Sequence, residues 1–129
     1  WFTENLRKRE PVGTCYVARN DLTDFQEYSP CRTRQWGYHR QGYCQAGFDA
    51  ALSEDGDRLF IGAPGAFYWQ GQIHSQSLDR RSEYERTGEG PAFDDDQYLG
   101  YSVGSGDFTG DGISDVALGV PKGLNYAGK

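Results

Sequence analysis

"DFTGDGISD", which runs from Asp107 to Asp115, combines carboxylates and glycines and contains no lysine or arginine. Calcium is bound by about six to eight oxygens at roughly 2.3–2.6 Å, from carboxylates, backbone carbonyls and water. Gly110 and Gly112 permit the positive φ values that a tight coil of such ligands requires. We therefore predict a calcium loop, although an acidic surface turn of ordinary turn residues is the alternative. The candidate ligands occupy every second position from the first to the ninth: Asp107, Thr109, Asp111, Ile113 and Asp115.

The flanks of this loop predict strands rather than helices. "GYSVGSG" precedes the loop and "DVALGVP" follows it, and both are short, rich in glycine or β-formers and close to a proline. The twelfth position is Leu118, whereas the helix–loop–helix calcium motif ends in glutamate. We expect the loop at the tip of a β-hairpin.

The composition favours an all-β chain with many turns. The 129 residues suffice for one modest domain, and 36% hydrophobic residues with a mean hydropathy of −0.78 predict a thin core. Aromatic residues make up 15%, and glycine occurs 18 times. The net charge of −6 argues against nucleic acid as a partner. No apolar run approaches the ~20 residues of a membrane span, and no signal peptide begins the chain, which suggests removal or an excised piece.

Three cysteines leave an odd number for pairing. Cys31 and Cys44 bracket a polar loop that a disulfide could close, with a gain of roughly 3 kcal/mol. Cys15 would then require a partner outside the chain. Three reduced thiols are the alternative.

Two segments of the chain resemble each other. "GFDAALSEDGDRLFIGAPGAFYWQGQI" and "GYSVGSGDFTGDGISDVALGVPKG" each begin with glycine and an aromatic residue and carry a Gly-x-Pro stop after a second apolar strand, and these stops are 57 residues apart. Such self-similarity is typical of β-propeller blades. We expect strands near 13–18, 23–28, 46–52, 58–62, 71–77, 100–106 and 116–120. The predicted division is the end of one blade at about 1–30, a full blade at 45–92 and the start of a third at 93–129.

These repeats resemble the FG-GAP repeats of integrin α subunits. The segments "REPVGTC", "EYSPCR", "GYCQAGF", "FYWQGQI", "YLGYSV" and "GVPKG" are similar to the second and third blades of α subunits that bind Arg-Gly-Asp ligands. The residues of these segments suggest an invertebrate member of the family, such as an insect position-specific α subunit. The resemblance covers nearly the whole chain and fails only at residues 32–41 and 78–92.

The resemblance implies a fragment of a seven-bladed propeller that heads a cell-adhesion receptor. Such an α subunit pairs with an integrin β subunit and binds extracellular-matrix proteins containing Arg-Gly-Asp. It lies at the extracellular face of the plasma membrane and is anchored only through a C-terminal part that is missing here. The calcium loop would be structural, and Thr109 replaces the Asn or Asp usual at its position.

The resemblance also implies site residues. Either Asp94 or Asp95 would pair with the ligand's arginine, because an extra residue blurs the register, and counting back from Tyr98 favours Asp95. Tyr68 would pack on the arginine stem beside Phe67, and Trp36 would contact a protein ligand. An aromatic ring set would hold a basic side chain of the β subunit: Phe48, Trp69, Tyr98 and Tyr101.

Two other functions are weighed against this one. An enzyme should show an acid–base or nucleophile constellation, and His39 and His74 have no neighbouring motif of that kind. We expect no catalysis. The other alternative is a calcium-stabilised propeller outside the integrins that serves adhesion or carbohydrate binding.

Overall fold

The described part of the chain forms eight short strands in three antiparallel sheets. In the computed structural model, residues 9–33 and 37–129 are described. The first sheet pairs β1 (Cys15–Ala18) with β2 (Phe25–Tyr28), and the third pairs β7 (Ser102–Gly106) with β8 (Asp115–Gly119). Between them lies a four-stranded sheet in the order β3 (Asp49–Leu52), β4 (Arg58–Ala63), β5 (Gln72–Ser77) and β6 (Tyr84–Arg86).

The seven strands predicted from the sequence are present, with bounds that differ by a few residues. The hairpin of β7 and β8 carries the acidic loop at its tip, as predicted, and closes at the pair Gly106 and Asp115. The prediction missed β6, the edge strand "YER" that pairs with β5 through His74 and Arg86. The four-stranded middle sheet has the strand number of one propeller blade, and the all-β class is confirmed. The blade boundaries at 1–30, 45–92 and 93–129 stay a prediction.

The core lies on both faces of β4, because this strand is covered from two sides. Ile61 packs in a buried cluster with Val12, Cys31 and Cys44. On the opposite face, Gly62 lies so close to the Gly100 carbonyl that a Cβ atom would collide with it. The nearly continuous burial of "RLFIGA" therefore reflects a strand that is enclosed between two neighbouring layers.

Successive sheets are joined by the same backbone device. Isolated parallel bridges connect Gly13 with Ala46 and Gly71 with Leu99. Both glycines have positive φ, 76° and 83°, and a Cβ atom on either would strike the partner's backbone. Glycine is required here by conformation and by close approach together.

Side chains pin the second sheet to the third. Asp49 Oδ2 accepts a hydrogen bond of 2.8 Å from the backbone N–H of Val103. The Ser105 hydroxyl donates to the carbonyl of Leu52, and Ser114 Oγ accepts from the N–H of Glu54 at 3.1 Å. The loop hairpin is therefore attached to the middle sheet along its length.

A left-handed turn follows each Gly-x-Pro stop. The first, within the helical turn Ala66–Trp69, has three consecutive residues with φ values of 46–59°, and the second, within Gly123–Tyr126, has three with φ values of 52–69°. Such values are uncommon outside glycine. The repeated conformation extends the internal similarity beyond the Gly-x-Pro stops.

Within the residues that the structure describes, no helix has the length and apolar character needed to span a bilayer.

Candidate functional site

Backbone hydrogen bonds organise the acidic loop at the tip of β7 and β8. Asp107 accepts three of them: Oδ1 from Gly110 at 2.7 Å and Asp111 at 3.1 Å, and Oδ2 from Gly112 at 2.8 Å. Gly110 and Gly112 have the predicted positive φ values of 78° and 81°. The N–H of Thr109 donates to Asp115 Oδ2 at 2.9 Å, and this bond lowers the pKa of Asp115.

The loop has the type of ligand atoms that a hard cation needs, but its side chains are only partly arranged to bind one. Its side chains supply carboxylate oxygens, the ligands that calcium prefers. A carboxylate has about four lone-pair positions, so Asp107 keeps only one beyond its three hydrogen bonds. In residues 9–33 and 37–129, no three acidic, histidine or cysteine side chains converge into a metal-binding cluster. Convergence on a cation would require Asp111 and Asp115 to turn toward Asp107.

The acidic segment before β7 is held by a glutamine that the sequence analysis did not single out. Gln70 is 7% exposed, and its Nε2 donates to Asp95 Oδ1 at 2.8 Å and to the Gly90 carbonyl at 3.1 Å. Its Oε1 accepts from the Gly90 N–H at 2.8 Å. Asp94 instead accepts from Gln97 Nε2 at 2.9 Å, within its own segment. The two candidate acids therefore accept hydrogen bonds from different side chains, and the donor to Asp95 is the buried Gln70.

The left-handed turn and the acidic segment are joined through the backbone. The N–H groups of Asp96, Tyr98 and Leu99 donate to the carbonyls of Tyr68, Trp69 and Gln70 in succession, at 3.1, 2.9 and 2.9 Å. These three parallel bonds place the "FYWQ" turn beside the aspartates in a fixed register. The two segments that the resemblance assigned to one ligand site are adjacent in the fold.

Within that turn the two aromatic residues differ in exposure. Tyr68 is 45% exposed, and its ring stacks on the His39 ring with centroids 4.9 Å apart. Phe67, which we expected beside Tyr68 at the surface, is 4% exposed and belongs to the core cluster. The strong curvature of the left-handed turn directs these neighbours to opposite sides, so only Tyr68 is available to a ligand. Trp36 lies outside the described residues.

The rings of the four aromatics expected to form one set contact different neighbours, although the backbone links three of them: the Tyr98 N–H donates to the Trp69 carbonyl at 2.9 Å and the Tyr101 N–H to the Tyr98 carbonyl at 3.2 Å. Phe48 packs against Tyr101 with centroids 4.7 Å apart. Trp69 contacts Tyr38 instead, at 5.2 Å. Tyr98 faces the Lys122 ammonium at 4.5 Å.

Lys122 supplies a cation of the chain itself at this position. Its Nζ lies 3.2 Å from both carboxylate oxygens of Asp96. That interaction raises the pKa of Lys122. The ring of Tyr98 is thus already in a cation–π contact.

The disulfide loop packs on the middle sheet. Cys31 and Cys44 are joined in a disulfide with Cα atoms 6.3 Å apart, and both are buried. Cys15 is unpaired, and burial raises the pKa of its thiol. Next to the disulfide, His74 Nε2 lies 3.6 Å from Cys31 Sγ, and its Nδ1 shares a hydrogen bond of 2.6 Å with the Tyr84 hydroxyl. Burial, followed by the charge of Arg86, lowers the pKa of His74 to about 4.

The all-β layers and the repeated turns define a fragment of a β-propeller, and the FG-GAP repeat family matches residues 99–129. The chain is 44% identical to integrin alpha-PS2 of Drosophila melanogaster over 93% of its length. It is 41% identical over 99% of its length to both integrin alpha-8 and integrin alpha-V of Gallus gallus. The chain belongs to the integrin α-subunit family. It spans 10%, 14% and 13% of the lengths of these three relatives, respectively.

Proposed function

We propose that this chain forms part of the seven-bladed propeller of an α subunit, in a cell-adhesion receptor at the extracellular face of the plasma membrane. Its role there is binding and not catalysis. The parent subunit pairs with an integrin β subunit, and its propeller helps to bind matrix proteins that contain Arg-Gly-Asp. Family membership and the geometry around Asp95 support this proposal.

The observation that carries the ligand proposal is the bond from buried Gln70 to Asp95, beside exposed Tyr68. A carboxylate fixed by one donor keeps lone pairs for the planar fork of a guanidinium. An aromatic ring beside it can pack on the stem of the same arginine. Asp95 is therefore the acid that we assign to arginine, with Tyr68 at its side, while Asp94 is secondary.

The β-subunit surface is proposed to use Phe48, Trp69, Tyr98 and Tyr101. Because their rings contact different neighbours, we expect them to contribute separately to a wider aromatic surface. A cation–π contact contributes about 0.5–2 kcal/mol. At Tyr98, a cation of the β subunit would have to share or displace Lys122.

The ligand site is tested in the parent ectodomain with its β subunit, by comparing Asp95→Asn with the matched change Asp94→Asn. Both replacements remove one charge and preserve side-chain shape. We expect Asp95→Asn to weaken adhesion to an Arg-Gly-Asp peptide at least tenfold, which is ~1.4 kcal/mol, and Asp94→Asn to have a smaller effect. Heterodimer assembly should be unchanged in both. Full adhesion by the Asp95 variant would place arginine recognition elsewhere.

We also propose that the loop Asp107–Asp115 binds one calcium ion that stabilises the hairpin. Its coil and oxygen donors support this, and the ligands would be the two carboxylates at its ends together with Asp111, Thr109 and Ile113. Asp111→Ala should lower calcium affinity in isothermal titration and reduce the calcium-dependent rise in thermal midpoint. The exposed Asp21→Ala lies in another turn and serves as control. Equal responses of both variants to calcium would contradict the proposal.

A further inference from the structure

A cleft opens on the side of the molecule between the first sheet and the edge of the middle sheet. Its volume is about 620 Å³. One wall is the end of β2 with the segment that follows it, and the other is formed by β5, β6 and the turn between them. It shares no lining residue with the acidic loop or with the proposed arginine site.

The charge of this cleft is opposite to that of the chain. Three arginines and one acidic residue line it, whereas the whole chain carries a net charge of −6. Arg32 Nη2 lies 2.9 Å from Glu27 Oε1 and lowers the pKa of Glu27, so that acid is matched. Arg81 and Arg86 remain as the excess positive charge. A cleft of one sign attracts ligands of the other sign.

The walls of the cleft carry two tyrosine rings. The Arg81 guanidinium lies 5.7 Å from the centre of the Tyr28 ring. The Tyr84 hydroxyl shares a 2.6 Å hydrogen bond with His74, which has no exposed surface. Since a buried histidine fixes Tyr84, this wall is set before any ligand arrives. Rings that are already positioned reduce the ordering cost of binding.

We propose that this cleft binds an anionic saccharide segment, whose sulfate or carboxylate groups meet Arg81 and Arg86. A volume of this size falls within the range of small-molecule sites, about 300–1,000 Å³, and exceeds what a single ion needs. The guanidinium fork pairs with oxyanions in a bidentate geometry. Sugar rings present C–H faces that pack on aromatic side chains, and Tyr84, which is 37% exposed, offers such a surface. The carboxylates of the site proposed to bind the arginine of a matrix ligand would repel this anionic saccharide.

The test uses the parent ectodomain and two defined probes, a heparin-derived tetrasaccharide that carries sulfates and a hyaluronan tetrasaccharide that carries only carboxylates. The double variant Arg81→Ala with Arg86→Ala should weaken binding of the preferred probe at least tenfold in calorimetry. Arg80→Ala is the matched control, because Arg80 is adjacent in sequence but pairs with Glu83 at 2.7 Å outside this cleft. The control should change affinity less than twofold. Tighter binding of the heparin-derived probe would identify sulfate as the recognised group, and tighter binding of the hyaluronan probe would identify carboxylate.

A further variant separates shape from charge. Arg81→Lys with Arg86→Lys keeps both charges and removes the planar forks, so it should recover only part of the affinity. An equal loss in the Arg80 control would show diffuse attraction and overturn the proposal. So would an absence of binding by either tetrasaccharide, equal competition by inorganic sulfate, or binding of an acidic peptide in preference to both sugars. Circular dichroism and the thermal midpoint of each variant verify folding.

Discussion

Acidification should destabilise the middle sheet through His74. This side chain has no exposed surface and lies between the Cys31–Cys44 disulfide and the Tyr84 hydroxyl. Its pKa is about 4 in the folded protein, against 6.5 for an ordinary histidine. The unfolded chain therefore binds a proton more readily at every pH between these two values. The stability contributed by neutral His74 is therefore fully present above about pH 6.5 and is lost as the pH falls toward about 4.

The size of the effect follows from the difference in pKa. Each unit corresponds to about 1.4 kcal/mol, so protonation linked to His74 should remove about 3 kcal/mol once the pH is below 4. At about pH 5 the expected loss relative to about pH 7.5 is already about 2 kcal/mol. This is a large fraction of the ~5–15 kcal/mol by which folded domains are stable.

The assay is denaturant unfolding of the parent ectodomain, followed by tryptophan fluorescence, at the two pH values. His74→Gln removes the titrating group, and the difference between its pH dependence and that of the wild type isolates the histidine from the carboxylates. The chain has two histidines, so His39→Gln, which changes an exposed ring, is the control. If His74→Gln lost as much stability on acidification as the wild type, the reasoning about burial would be refuted.

Two other changes test the geometry of the fold and of the site. Gln70→Ala should weaken binding of an Arg-Gly-Asp peptide several-fold, because Asp95 loses its buried donor. Gln76→Ala should not, because the Gln76 amide donates to the carbonyls of Ser77 in the same strand and of Arg81 in the following turn. Equal affinities of the two variants in surface plasmon resonance would remove the positioning role. Gly71→Ala should lower the free energy of unfolding by more than about 1 kcal/mol, since both φ and the Leu99 backbone oppose a Cβ atom. Gly56→Ala has a similar φ and open space, so it should cost less, and equal losses in the two melts would contradict the collision argument.

The strands could be predicted where the sequence has an apolar run or a glycine-rich turn at their ends. β4 reads as an apolar run that ends in Gly-x-Pro, and β7 and β8 flank a loop with an unmistakable turn composition. β6 has neither signal, because all three of its residues are exposed and the strand exists only through pairing with β5. An edge strand defined by its neighbour has no local pattern of its own.

The elements of the site were predictable as segments but not as side-chain partners. The sequence places "FYWQ" and "FDDDQ" in one region only through the family resemblance. The bond from Gln70 to Asp95 spans 25 positions and leaves no periodic signal. It is the reason that we propose Asp95 rather than Asp94 for the ligand's arginine, since counting residues cannot show which carboxylate receives a buried donor.

The aromatic residues show why residue type alone does not define a binding surface. Phe67 and Tyr68 are adjacent in sequence and similar in chemistry, yet one is buried and the other exposed. The reason is the left-handed turn, whose φ values of 46° and 55° no composition rule predicts for aromatic residues. The three bonds from the acidic segment to the carbonyls of this turn hold it in place. The same strained backbone therefore sends Phe67 into the core and presents Tyr68 beside Asp95, so the stability of the turn and the shape of the proposed site depend on the same hydrogen bonds.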